Sequence, residues 1–215
     1  MNETECIYFL TTLGIDVKRL YDPDRWLLEI DDTLDEFKIR EKFINRYGFA
    51  ILTRGAIEEI RPYAPLLELG AGSGYWSYEL QNYGIDVIAT DPRTEMFRMF
   101  KDAGVKEGRW PKSYTTIETI NSVDAVRKYP DRNLLIVWPS LGDSWAADAL
   151  RVFTGQVVVY MGEGAGDACA EDRFFDLLDQ RFSDQVCVRM PHFWGLYDRY
   201  LKICKQPKQL IEGTK

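Results

Sequence analysis

The sequence predicts an α/β fold in which a mostly parallel sheet carries helices on both faces. Three observations predict it. Pro65 to Leu69 is an apolar run that breaks into a glycine-rich turn and then a helical pattern. Asp86 to Thr90 repeats the strand character and closes on Asp91. Leu134 to Ser140 and Gln156 to Met161 are apolar runs of the kind that strands buried on both faces require, and helical periodicity separates them. With 215 residues and 46% hydrophobic content, the chain can bury the core of one such domain. The expected organisation is a helical N-terminal extension over 1–62 packed on the core, the main domain over 63–205, and a flexible polar tail over 206–215.

Taken in order, Thr4 to Leu13 places apolar residues at helical spacing and Gly14 ends the segment. Asp22-Pro23-Asp24 marks a turn. Leu34 to Tyr47 is a charged helix with Phe37, Ile39, Phe43 and Ile44 on its apolar side, stopped by Gly48. Arg54 to Arg61 is a further helix leading into the first strand. After the second strand, Arg93 to Ala103 reads as a helix ended by Gly104. Tyr114 to Ile117 is a short third strand, and Ser122 to Lys128 a helix. The fourth strand, Leu134 to Ser140, is the most strand-like run and belongs at the centre of the sheet. Ser144 to Phe153 is a helix with Ser144 as its N-cap, and Gln156 to Met161 is the fifth strand. Glu171 to Phe182 carries Phe174, Phe175, Leu177, Leu178 and Phe182 at core-facing spacing. Gln185 to Met190 and Arg199 to Lys205 are the last two strands.

The turn Gly70-Ala71-Gly72-Ser73-Gly74 at a strand's carboxyl end is a nucleotide-type cofactor cradle. Glycines there let the backbone turn sharply and approach a ligand without Cβ obstruction. A dinucleotide fingerprint would need a third glycine where this chain has Tyr75, which weakens the case for NAD. Asp91, at the end of the second strand, is placed to accept both ribose hydroxyls, with Pro92 beside it.

Composition narrows the function classes. A net charge of -7 disfavours a nucleic-acid partner, which calls for a basic face. Cys6, Cys169, Cys187 and Cys204 lie far apart without a CxxC pair, which fits reduced core thiols rather than a disulfide framework or a zinc site. No metal-ligand cluster stands out, so no metal is expected. The acidic start, Asn2-Glu3-Thr4-Glu5, is unlike a signal peptide, and no apolar run reaches the length of a membrane span. A cytoplasmic protein without a membrane partner is the expectation.

Three further places hold candidate chemistry. Trp138-Pro139-Ser140 ends the fourth strand, where ligands of open parallel sheets bind, and offers an indole, a carbonyl and a hydroxyl. Glu163, in the loop Gly162-Glu163-Gly164-Ala165-Gly166 after the fifth strand, is either an acceptor-binding carboxylate or a solvated acid in a turn. His192, the sole histidine, lies in the loop between the last two strands with Trp194 and Tyr197. It is a candidate general base, and the two rings are a candidate aromatic wall.

Glu68-Leu69-Gly70-Ala71-Gly72-Ser73-Gly74, followed by Asp91, resembles motif I and the ribose acid of the class I S-adenosylmethionine-dependent methyltransferases. Trp138-Pro139, Tyr160-Met161-Gly162-Glu163, Asp172-Arg173-Phe174-Phe175, Pro191 and Trp194 are similar to a small, poorly characterised methyltransferase-like group, over roughly 40–205. Ser140 stands where that group has a second proline. The resemblance implies the Rossmann-like class I methyltransferase fold, with seven strands and an antiparallel closing strand. It further implies S-adenosyl-L-methionine as cofactor, held by Glu68, Gly70, Ala71, Gly72, Ser73, Gly74, Asp91, Pro92 and Trp138. Methyl transfer to a small-molecule or protein acceptor would then involve Trp138, Pro139, Ser140 and His192. Glu118, following the third strand, would lie beside the adenine. A non-catalytic methyltransferase-fold binding or regulatory subunit remains the alternative, and an NAD-dependent enzyme a weaker third.

Overall fold

In the computed structural model, residues 3–21, 30–92, 113–193 and 196–207 are described. The Asp22-Pro23-Asp24 turn, the helix expected over 93–103, Trp194 and the tail from 208 lie outside them. Among the described residues, five helices or short helical pieces precede the sheet: α1 (Glu5–Thr12), a 3-10 turn (Val17–Tyr21), α2 (Ile30–Tyr47), α3 (Arg54–Ile60) and a second 3-10 turn (Arg61–Tyr63). The rest alternates as β1 (Leu66–Leu69), α4 (Tyr75–Asn82), β2 (Val87–Thr90), β3 (Ile117–Glu118), α5 (Ser122–Lys128), β4 (Asn133–Val137), α6 (Trp145–Val152), β5 (Val157–Met161), α7 (Asp172–Arg181), β6 (Asp184–Arg189) and β7 (Tyr200–Lys205).

The seven strands form one sheet in the order β3-β2-β1-β4-β5-β7-β6. The first five are parallel, and β7 runs antiparallel to both β5 and β6. This is the mostly parallel sheet with an antiparallel closing strand that the sequence led us to expect. Alternate residues of each central strand serve opposite faces. Leu66, Leu135, Val157, Val159 and Met161 join α1 to α4 in one core, whereas Leu67, Leu69, Leu134, Ile136, Val158 and Tyr160 join α5, α6 and α7 in the other. Both alternating sets are apolar, which is why these strands read as continuous hydrophobic runs.

The N-terminal helices therefore supply much of one layer of the sandwich. Phe43 of α2 packs on Tyr47 and on Phe193, 5.3 Å between ring centroids in each case. The start of α1 has no side-chain cap of its own, because Thr4 Oγ1 donates to Leu52 O instead. Its first free N–H groups are met from α4: Glu5 N donates to Glu79 Oε1 and Cys6 N to the Tyr75 hydroxyl, at 2.8 and 2.9 Å. Orphan amides of a first turn need such partners.

Several boundaries differ from the sequence reading. β3 begins at Ile117 rather than Tyr114, because Tyr114 N donates to Ser73 O and its ring packs among Tyr47, Tyr75 and Tyr78. β4 stops at Val137, because Trp138 turns to φ 49°. Ser144 does not cap α6, since its hydroxyl donates to Asp148 Oδ2 instead. Gln206, taken as the start of the tail, is bonded through its N–H to Gln156 O and its amide to Gly155 O. All four cysteines are free thiols. Among the described residues, no helix is long and apolar enough to cross a membrane.

Candidate functional site

The loop between β1 and α4 is fixed by hydrogen bonds to its neighbours. Ala71 N donates to Thr90 O at 3.0 Å and Gly74 N to Ala71 O at 2.7 Å. Gly72 N donates to Asp91 Oδ2 at 2.9 Å, and the Ser73 hydroxyl to Tyr47 O at 3.0 Å. The loop, the acid ending β2 and the end of α2 are thereby joined. Gly70 and Gly74 both have positive φ, and added Cβ atoms would lie 3.0 Å from the Trp145 ring and 2.9 Å from Ile117 respectively. Left-handed backbone and tight packing together favour glycine at both positions. Gly72, also with positive φ, lies on the cavity wall.

Glu68 is buried at the end of β1 and accepts from both the N–H and the hydroxyl of Ser77. It thus supplies the first turn of α4 with the hydrogen-bond acceptor that Gly74, as N-cap, cannot. Burial pushes its carboxyl up to about 7 against the Ser77 bonds, and Asp91 adds to the rise. Tyr75, which occupies the place of a third dinucleotide glycine, is fully buried with its hydroxyl donating to Glu79 Oε1 at 2.7 Å. Its bulk fills the junction between α1, α2 and α4.

A cavity of about 360 Å³ opens at the carboxyl ends of β1, β2 and β4, within the size range of small-molecule sites. One wall is the loop from Gly70 to Ser73 over Glu68; Tyr47 to Phe49 form a second; Thr90 to Pro92 and Ile120 to Ser122 a third; Val137, Trp138, Ser140, Asp143 and Trp145 the fourth. The cavity lies where strand order reverses between β1 and β4, the place at which open α/β sheets bind ligands. Glycine loop, terminal acid, switch-point cavity and antiparallel β7 now stand together. The chain has the class I methyltransferase fold.

Within that methyltransferase fold, Glu68, Gly70, Ala71, Gly72, Ser73, Asp91, Pro92, Trp138 and Ser140 line the cavity. Gly74 sits just behind it at the start of α4, and Pro139 is not part of the lining. His192 lies elsewhere: it is buried, its N–H donates to Leu20 O, and its Nδ1 is 3.1 Å from Phe193 O. Glu163 accepts backbone N–H groups of Ala168 and Tyr197 on its two oxygens, which ties its loop to the one before β7. Glu118 is held by Lys128 and the Tyr129 hydroxyl and stays outside the lining. Tyr197 is half-exposed with the Arg199 guanidinium 5.7 Å from its ring centre.

Sequence reasoning did not find Tyr47, Phe49, Asn121, Asp143 and Trp145 as lining residues. Gly48 was legible as a helix stop, but nothing in the sequence showed that the chain leaving it crosses to the end of β4. There Phe49 stacks on Trp138, with centroids 5.5 Å apart and planes at 22°. A non-glycine residue in the left-handed region costs roughly 1 to 2 kcal/mol, so the φ of Trp138 is a strained feature held by its surroundings.

No protein-family model matches the sequence, and no curated protein matches it. Among solved structures, the chain is similar to the magnesium protoporphyrin IX methyltransferase of Synechocystis PCC 6803 with bound SAM, at 10% identity and a TM-score of 0.46 over 92% of this chain and 94% of that one. It is also similar to a SAM-dependent methyltransferase from Archaeoglobus fulgidus, at 12% identity and 0.45 over 80% and 98%. The glycopeptide N-methyltransferase MtfA with S-adenosyl-L-homocysteine gives 13% identity and 0.43 over 72% and 88%. Likenesses this distant carry no argument about ligand or reaction; the strand order and the cavity stand on their own.

Proposed function

We propose that the chain binds S-adenosylmethionine in this cavity and passes its methyl group to a small-molecule or protein acceptor. The observation that carries the reading is the union of Asp91 with the glycine loop: a buried carboxylate at the end of β2 is bonded to Gly72 N across the cavity's edge. A carboxylate there suits ribose hydroxyls. Tyr47, Phe49, Trp138 and Trp145 give the cavity aromatic walls, which suit a cationic sulfonium. The donor set fits the cofactor.

Such a cofactor supplies a methyl group already joined to a good leaving group, so transfer depends chiefly on alignment. The chain's residues divide the work. The backbone from Gly70 to Ser73 carries the amino acid end, Asp91 fixes the ribose, and Glu68 holds α4 behind the loop. Trp138 and Ser140 bound the acceptor end, and Asp143 places a carboxylate on the same wall for an acceptor amine or hydroxyl.

Two observations favour a second reading, a binding subunit without catalysis: the sole histidine is buried outside the cavity, and Trp138 brings no acceptor oxygen. Calorimetry with S-adenosylmethionine, S-adenosylhomocysteine and NADH tests the site, and binding of NADH alone would overturn it. Formation of S-adenosylhomocysteine in the presence of candidate amines, hydroxyls and proteins separates enzyme from binder.

A further inference from the structure

Behind the acceptor end of the cavity lie two buried groups that methyl transfer, as proposed, leaves unused. The indole Nε1 of Trp138 is fully enclosed and meets no acceptor in hydrogen-bond geometry. Beside it is the carboxyl of Asp198, from the loop joining β6 to β7, 1% exposed, with its Oδ1 equally enclosed and without a donor. Backbone bonds account for this juxtaposition. Trp138 N donates to Met161 O at the end of β5, and Tyr197 N donates to Glu163 Oε1 two residues further along, so Asp198 arrives beside Trp138.

A buried donor without an acceptor and a buried acceptor without a donor are each unfavourable, and such groups are rare in folded proteins. Here they are neighbours, the Trp138 side chain lying close enough to act on the Asp198 carboxyl, so each group is placed to meet the other's need. The indole is also the cavity wall that needs holding, since its backbone is left-handed and its ring stacks on Phe49, which also lines the cavity.

We propose that Asp198 is a positioning residue whose carboxylate accepts the Trp138 Nε1–H and thereby fixes the indole as the wall against which the methyl acceptor is held. The acceptor role rests on the methyl-transfer reading above; the pairing itself does not. Bonds to an ionised acceptor are the stronger ones, so the pairing depends on the charge of Asp198. The groups acting on it come from four directions. Burial, then Glu163 after β5, push the carboxyl up to about 7, against Trp138 and Arg40 of α2. Tyr160 of β5 and Cys169 before α7 also face it, and burial raises both well above neutrality, so they stay uncharged there. The accepting form of Asp198 is therefore gained as pH rises through about 7.

The test is the indole N–H spectrum of nitrogen-15 labelled protein from pH 5.5 to 8.5, with and without S-adenosylhomocysteine. Six tryptophans give six resonances, and Trp138→Phe removes the one in question. That resonance is expected to move downfield with a midpoint near 7 and to lose this titration in Asp198→Asn. A resonance that does not move with pH, or moves equally in Asp198→Asn, overturns the pairing. Should Asp198→Asn fail to fold, solvent exchange in the wild-type protein decides: protection of that N–H, relative to free indole at the same pH, that is greater at pH 8 than at pH 6 supports the pairing, and protection that is equal or smaller at pH 8 overturns it. Titration without any binding of S-adenosylhomocysteine leaves the pairing standing and overturns its role in methyl transfer.

Discussion

The two ends of the cavity are built on opposite principles. At the β1–β2 end, the polar groups of the loop and of the first turn of α4 reach partners within the fold: Gly72 on Asp91, Ser73 on Tyr47, Ser77 on Glu68. At the β4–β5 end, the wall residue is left-handed, and an indole nitrogen and a carboxylate oxygen are buried without good partners. The first end is set before any ligand arrives. Strain and unmet hydrogen bonds gather at the second, as they do at sites whose function selects the geometry. The difference teaches that the cofactor end can be read from the fold, while the acceptor end must be read from its irregularities.

The largest expected effect bridges both ends. Phe43 packs against Tyr47 beside the glycine loop and against Phe193 of the β6–β7 loop. Phe43→Ala should cost about 3 to 5 kcal/mol of stability, measured by denaturant unfolding. A loss under about 1 kcal/mol would mean that the two ends do not share this support.

Asp91→Ala separates the ends. Losing hydrogen bonds to a charged group costs roughly 1.5 to 3 kcal/mol, so S-adenosylhomocysteine affinity should fall by about 10- to 100-fold in calorimetry. An unchanged affinity would move the ribose elsewhere.

The pH dependence of stability probes one buried acid at each end. Glu68 and Asp198 both have carboxyls raised to about 7 in the folded chain, chiefly by burial. The folded state therefore keeps protons that the unfolded chain releases from about pH 4 upward. Their contribution is complete at low pH and declines as pH rises toward 7, by on the order of 1 kcal/mol per pH unit for each group. Glu68→Gln and Asp198→Asn should each flatten part of that decline in unfolding measured from pH 5 to 8. A profile that is the same in both variants as in the wild type would show that neither acid is raised.

The smallest effect concerns the anchoring of α1. Tyr75→Phe removes the acceptor of Cys6 N–H and a donor to Glu79, and should cost about 1 kcal/mol in the same assay. A neutral result would mean that water replaces the hydroxyl.

Much of this was legible in the chain. Leu134 to Val137 and Val157 to Met161 are apolar on both alternating sets, and Leu66 to Leu69 is so but for Glu68, so their burial on two faces could be read directly. Gly70 to Gly74 and Asp91 announced the cofactor end because turn, strand end and acid lie close in sequence. The acceptor end was legible only in part. Trp138 and Ser140 line it, but Phe49 is brought there from the end of α2 and Asp198 from the β6–β7 loop, and no local pattern encodes such meetings. His192 illustrates the converse, since a histidine in a loop near a cleft has its backbone bonded to Leu20 O and its ring buried. β3 was misplaced because the tyrosine cluster around Tyr114 outweighs its strand propensity.

Calorimetric titration of the wild-type protein with S-adenosylhomocysteine tests most directly that this cavity is a sulfonium-cofactor site. One-to-one binding that Asp91→Ala weakens by about 10-fold or more is the expected result. Absence of heat with both S-adenosylhomocysteine and S-adenosylmethionine, in protein shown to be folded, would contradict it.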